Sequence, residues 1–272
     1  MWPVYFINLD HASERRNRST ALFRDAGLEF RRIAACDWRS LSATDLSSSV
    51  ARATPRFAKG RITPPEVACF LSHMRAWETI AAGTAPAAFV FEDDFALQPD
   101  AARLMADLSG QPPTWDMLKL FTNKPRTMGD AVLLDAVHCL GTPDILPPTT
   151  LAYAITRPAA AALARRSMPF SRPIDLYLKH WWEHGAAIKL VQPSIVVPRD
   201  EHLASSAIER ARRNATDANP VARFLRNAAY QLSFRVSSSL YASSRATEAR
   251  WVDDSPRIVD VCPPAVTQEP RP

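Results

Sequence analysis

The sequence predicts an α/β fold: an open, mostly parallel sheet flanked by helices, with a basic helical appendage at its C-terminal end. Three observations carry this. Short apolar runs of strand length alternate with segments of helical periodicity, the pattern of strands joined by crossover helices. The chain has 272 residues, 47% hydrophobic and 22% charged, enough to bury a substantial core. Its net charge of +5 is carried entirely by residues 209–250, where eight arginines face Glu209, Asp217 and Glu248. The body is therefore neutral, and the basicity belongs to the tail.

The elements follow in order. "VYFINL" (4–9) reads as a buried strand. The helix after it, "ERRNRSTALFRDA", takes Ser13 as N-cap and stops at Gly27. "FRRIAAC" (30–36) is a second strand, and the polar, Pro-containing residues 39–64 read as a long loop or lid. A helix from about Pro65 to Ala82 carries Val67, Phe70, Leu71, Met74, Trp77 and Ala81 on one stripe. "AAFVF" (87–91), "DMLKLF" (116–121), "TLAYAIT" (150–156) and "AIKLVQ" (187–192) are further strands, with helices at 157–167 and 173–185. Three units result: a catalytic-type body 1–208, a basic amphipathic helical stretch 209–255, and a Pro-rich, poorly ordered tail 256–272.

Several function classes lose their signatures. Seven glycines against 23 prolines, with no GxGxxG and no GxxxxGK[ST], remove the Rossmann and P-loop fingerprints. Cys36, Cys69, Cys139 and Cys262 are widely spaced without a CxxC pair, which points to reduced thiols and no structural zinc. "MWPVYFINLD" lacks the basic flank and apolar length of a signal peptide, and no run is long enough to span a bilayer. The expected location is cytoplasmic, extended by a peripheral place on the inner face of the plasma membrane. A nucleic-acid binder would fit the basic tail, but the neutral body contains no such module, so no nucleic-acid partner is expected.

Four clusters carry chemistry. "FVFEDDF" (89–95) sets Glu92, Asp93 and Asp94 at the carboxyl end of a strand, where open α/β sheets bind ligands. An acidic turn accounts for them; so does a hard cation such as Mn²⁺ or Mg²⁺ between Glu92 and Asp94, bridging to a diphosphate. In "INLDHASERR", Asn8, Arg15 and Arg16 surround a helix start suited to phosphate, though a plain surface helix explains the arginines equally. "EVACFLSHMRAW" offers Ser72 and His73, a pair that could orient a base or contact a sugar, while a lone His beside Trp77 and Cys69 is more often a satisfied core residue. "RPIDLYLKHWWEHG" gathers Asp175, His180, Glu183 and His184 without a zinc-binding HExxH motif.

These pieces, "YFINLD…ERR", "FRRIAACD", "PEVACFLSHMRAW", "FVFEDDF", "YAIT…AAAAL" and "PIDLYL", resemble glycosyltransferase family 25 in order and spacing over about residues 2–208. The resemblance implies a GT-A-like fold and an inverting, divalent-metal-assisted transfer of a hexose, commonly galactose, from a UDP-sugar to a lipopolysaccharide or lipooligosaccharide glycan. It implies Glu92 and Asp94 at the metal. Asn8, Arg15, Arg16, Asp37, Ser72, His73 and Asp93 fall on the substrate side. Asp175 is implied as acceptor base, with Glu183 in reserve. The chain departs from the family pattern at Ala68, where glycine is usual, and at Trp38, which follows Asp37 where Asp-Gly is common. A lipid-linked or oligosaccharide acceptor is the expected second partner, and residues 209–250 suit an anionic membrane surface or a packed helix with a solvated basic face. Transfer to another glycan or to protein, or a non-catalytic basic binding protein, are the alternatives.

Overall fold

The computed structural model describes residues 1–52, 61–199, 220–241, 244–245 and 266–268. Eleven strands are present among them: β1 (Val4–Asn8), β2 (Arg31–Ala34), β3 (Ala87–Phe91), β4 (Phe95–Leu97), β5 (Met117–Lys119), β6 (Met128–Leu133), β7 (Cys139–Pro143), β8 (Ala152–Thr156), β9 (Ile188–Gln192), β10 (Val196–Pro198) and β11 (Val266–Gln268). Nine form one sheet in the order β11-β2-β1-β3-β8-β5-β9-β7-β6, and β4 pairs with β10 in a separate ribbon. β2, β1 and β3 are parallel, as are β5 and β9; β8 runs antiparallel between β3 and β5. Most strands thus point one way, and the sheet is mixed. This arrangement brings the carboxyl ends of β1, β3 and β5 to one edge, beside the start of β8.

The helices are α1 (Ser13–Asp25), α2 (Ala43–Ser49), α3 (Pro64–Ala81), α4 (Ala101–Ser109), α5 (Arg157–Arg166), α6 (Ile174–Lys179), α7 (Trp181–His184) and α8 (Pro220–Leu240). α3 starts where a capping box permits: the Thr63 amide donates to Glu66 Oε2 at 2.7 Å, and Pro64 occupies the first turn, where a missing N–H costs nothing. Alternation along the strands feeds two cores. Tyr5, Ile7, Ala88 and Val90 face α3 and α5, whereas Val4, Phe6, Phe89 and Phe91 meet Phe23 of α1 and Leu104 of α4.

Several expectations are corrected. Ser13 lies inside α1; Ala12 precedes the helix and no side chain caps it, while Gly27 ends the unit in the left-handed region at φ 66°. The helix expected over 173–185 breaks at His180 (φ −85°, ψ 56°) into α6 and α7. The expected loop 39–64 contains a 3-10 turn (Trp38–Ser40) and α2, and residues 53–60 lie outside the described residues. The β6–β7 hairpin went unrecognised; it closes tightly at Gly141, where a Cβ would stand 2.8 Å from the Gly129 carbonyl oxygen. Of the expected basic stretch, α8 is described and the remainder falls largely outside the described residues, as does most of 256–272, including Cys262. Cys36, Cys69 and Cys139 are free thiols.

Candidate active site

β3 ends at Phe91, and the three carboxylates form the turn that follows. The turn is held at both ends: the Glu92 amide donates to the Leu151 carbonyl at 2.9 Å, and the Asp94 carbonyl accepts from the Arg199 amide at 3.0 Å. Pairing of β4 with β10 begins at the next residue, Phe95, which is buried. The acidic triplet is therefore a fixed feature of the sheet edge.

Its three members have different surroundings. Asp93 has partners: Arg15 of α1 pairs with it at 3.0 Å and Asn8 Nδ2 donates to it at 2.6 Å, which partly offset the burial that pushes its carboxyl up. Asn8 is itself held by Arg32, whose guanidinium donates to the Asn8 side chain at 3.2 Å and pairs with Asp10. Burial penalises the Glu92 carboxylate, yet hydrogen bonds from His73 and Thr150, with the charge of Lys119, hold it below the usual carboxylate range. Asp94 has less help, from the charge of Arg15 and a backbone hydrogen bond. Its Oδ1 is buried without a hydrogen-bond partner, and burial, then the neighbouring Glu92 and Asp93 charges, push its carboxyl up to about 7.

Behind Glu92 lies a chain of buried hydrogen bonds. Trp77 Nε1, which can only donate, donates to the Tyr153 hydroxyl at 3.0 Å. The same hydroxyl meets His73 Nδ1 at 2.9 Å, and His73 Nε2 faces Glu92 Oε1 at 3.3 Å. With Trp77 donating to it, the Tyr153 hydroxyl has its own hydrogen to offer Nδ1, an arrangement that leaves Nε2–H to donate to Glu92. Thr150 donates to Glu92 from the other side. Ser72, the neighbour of His73, is used differently: its hydroxyl accepts from the Cys36 amide at 2.9 Å and donates to the Ala68 carbonyl, tying α3 to the end of β2.

The acceptor-side candidates stand on α6 and α7. Lys119, 2% exposed, donates from Nζ to the Thr149 carbonyl at 2.5 Å. Burial brings its pKa down to about 8, against the opposing charges of Asp175 and Glu92. One buried ammonium therefore feels both Asp175 and the metal-side carboxylate. Glu183 is paired with Arg172 at 2.5 Å, while burial pushes its carboxyl up. His180 and His184 are structural: their ring nitrogens face the Leu176 and Leu178 carbonyls at 2.6 and 3.2 Å, and burial lowers both to about 4.

Asp37, beyond the carboxyl end of β2, is bonded to Arg39 at 2.8 Å and faces His11 at 3.5 Å. Arg16 is half-buried on α1. Asp94, with an orphaned oxygen, and Glu92 are oxygen donors of the type a hard cation takes. Among the described residues, two groups bring their donor atoms within 4.8 Å of one another: Cys69, His73 and Glu92, and Asp100, Asp135 and His138. In the second, Arg103 already supplies the positive charge, pairing with Asp135 at 2.5 Å.

Lys119, Thr150 and Tyr153 were not singled out in the sequence. A lysine inside the apolar run "DMLKLF" is a usable signal, because a charge in a buried strand needs a partner. Tyr153 inside "TLAYAIT" carries no such mark.

Residues 1–129 match the family model described as glycosyltransferase family 25 (LPS biosynthesis protein). The chain is similar to a glycosyltransferase 25 family member of Anopheles gambiae, 30% identical over 185 residues, covering 64% of this chain and 31% of that protein. It is similar to procollagen galactosyltransferase 1 of Danio rerio, 24% identical over 217 residues, and to inactive glycosyltransferase 25 family member 3 of Homo sapiens, 26% identical over 221 residues. Each of these two covers 72% of this chain and 36% of the relative. The chain thus spans about a third of the length of these relatives.

Proposed function

We propose that this chain, whose residues 1–129 belong to glycosyltransferase family 25, is a transferase that moves a hexose, galactose in the first instance, from a UDP-sugar to a lipopolysaccharide-type glycan. The observation that carries the proposal is Asp94, with its orphaned oxygen and raised pKa at the carboxyl end of β3. Such a carboxylate asks for a cation, and family 25 relatives include galactosyltransferases by name. Glu92 and Asp94 would hold a divalent cation, Mn²⁺ or Mg²⁺, which when bound supplies positive charge to the diphosphate leaving group.

This chain's own residues do the rest. His73, fixed by Tyr153, and Thr150 orient Glu92. Arg15 and Asn8 bind Asp93 and hold it in the turn beside Asp94. Asp175 takes the proton of the acceptor hydroxyl as its oxygen attacks the anomeric carbon and the bond to UDP breaks, with inversion. Asp175, at the Pro-x-Asp position of the family resemblance, is the first choice, and Glu183, bound to Arg172, is the reserve. The acceptor is lipid-linked, and the arginine-rich residues 209–250 hold the enzyme on the inner face of the plasma membrane. A transferase acting on another glycan or on protein would use the same groups. A non-catalytic member, as the inactive human relative is named, would not turn over donor.

The test is UDP release from a panel of UDP-sugars with Mn²⁺ and with EDTA, wild type beside Asp94→Asn. Metal-dependent release for one donor, lost in the variant, is the expected result. No release and no UDP binding under any condition would end the transferase reading.

A further inference from the structure

Among the described residues, twelve large apolar side chains are exposed, and six of them lie on or directly after α8: Phe224, Leu225, Leu232, Val236, Leu240 and Tyr241. The helix has two distinct faces. Tyr230 and Phe234, 4% and 5% exposed, pack on α6 and α7: Phe234 lies 5.4 Å from the His180 ring and 5.3 Å from Trp182, with Lys179 Nζ 4.1 Å above it. Tyr241 stacks parallel to Trp182 at 6.4 Å on the same side. Leu225, Leu232, Val236 and Leu240 are spaced seven, four and four residues apart, which sets them on one stripe about half a turn from Tyr230 and Phe234. That stripe is 60%, 66%, 49% and 73% exposed. Packing on the body accounts for the inner face and leaves the outer one bare.

We propose that the outer stripe of α8 docks on the surface of an anionic lipid bilayer. Charge selects this occupant. The stretch 209–250 holds eight arginines against three acidic residues, and exposed Arg235 stands beside the stripe. An anionic surface supplies the opposite charge, whereas a second copy of the chain would set this same positive stretch against itself. No helix among the described residues is long and apolar enough to cross a membrane, so α8 lies in the interface with its apolar side down. Because its inner face grips α6 and α7, docking fixes the height of Asp175 above the lipid. The inference refines the membrane partner proposed above and leaves the transfer chemistry untouched. Its failure would appear in binding, and failure of the transfer reading in UDP release.

The experiment is flotation of the full-length protein with phosphatidylglycerol–phosphatidylcholine vesicles and with phosphatidylcholine alone. Wild type is run beside a Leu232→Glu/Val236→Glu double variant and beside Arg235→Glu. Binding only to the anionic vesicles is expected, weakening with salt. The double variant should lose at least about tenfold of it, and Arg235→Glu less, with melting temperature and UDP release unchanged. If wild type ignores anionic vesicles, or the double variant binds as well, the proposal fails. Light scattering that shows a doubled mass abolished by the same double substitution would assign the stripe to a second copy and overturn it too.

Discussion

Tyr153→Phe isolates the buried chain behind Glu92. The ring keeps its volume, so no cavity forms, and the loss is one hydroxyl. That hydroxyl serves Trp77 Nε1 at 3.0 Å and His73 Nδ1 at 2.9 Å, and all three residues are at most 1% exposed, so bulk water cannot replace it. Leaving a buried polar group unpaired costs about 1–3 kcal/mol, and two are orphaned here. The variant should lose about 2–4 kcal/mol in urea unfolding and, at about 2–4 °C per kcal/mol for a body of this size, roughly 5–15 °C in melting temperature. His73 would also lose the contact that aims Nε2 at Glu92. Mn²⁺ affinity by calorimetry should drop about tenfold or more, since supports of a ligand matter at that scale. A stability change under about 0.5 kcal/mol with unaltered Mn²⁺ affinity would refute the assignment of this hydroxyl as the link between core and site.

Two further outcomes follow from the same residues. Asp94, pushed up to about 7, is a carboxyl whose protonated form the fold prefers, so its contribution to stability is present below about pH 4 and lost as pH rises through about 7. Melting scans in EDTA should therefore fall over that window, Mn²⁺ should reverse the fall at its upper end, and Asp94→Asn should flatten the profile; a flat wild-type profile contradicts this. Asp175→Asn should lower kcat by about 10²-fold or more with donor binding kept, whereas Glu183→Gln should cost mainly stability through its Arg172 partner, and the reverse pattern in kcat and urea curves would exchange their roles.

Much of this was legible in the chain because apolar runs bounded by turn residues mark buried strands whatever their partners. "VYFINL", "AAFVF" and "AIKLVQ" became β1, β3 and β9 nearly to the residue. Direction was not legible: β8 reads like its neighbours, yet it enters antiparallel between β3 and β5, since an apolar run buried on both faces carries no mark of polarity. The acidic triplet stood out as adjacent like charges. That Arg15 pairs with Asp93 while Asp94 keeps an orphaned oxygen depends on where α1 lies against the turn, which no spacing within "FVFEDDF" encodes. The break at His180 was equally hidden, because no proline or glycine marks it in the sequence.

The strand order also bears on how the protein can be made. The stretch that matches the family model ends at residue 129, but β8, which lies between β3 and β5, comes later in the chain, and so does β10, which pairs with the strand directly after the carboxylates. On the ribosome, the acidic turn therefore emerges long before the segments that complete it. Until residue 156 has left the exit tunnel, β3 and β5 lack the strand that joins them, and until residue 199 has left it, Asp94 lacks the amide that anchors its carbonyl. The strands and anchors described around this turn therefore run from β1 through Arg199, well beyond the stretch that matches the family model.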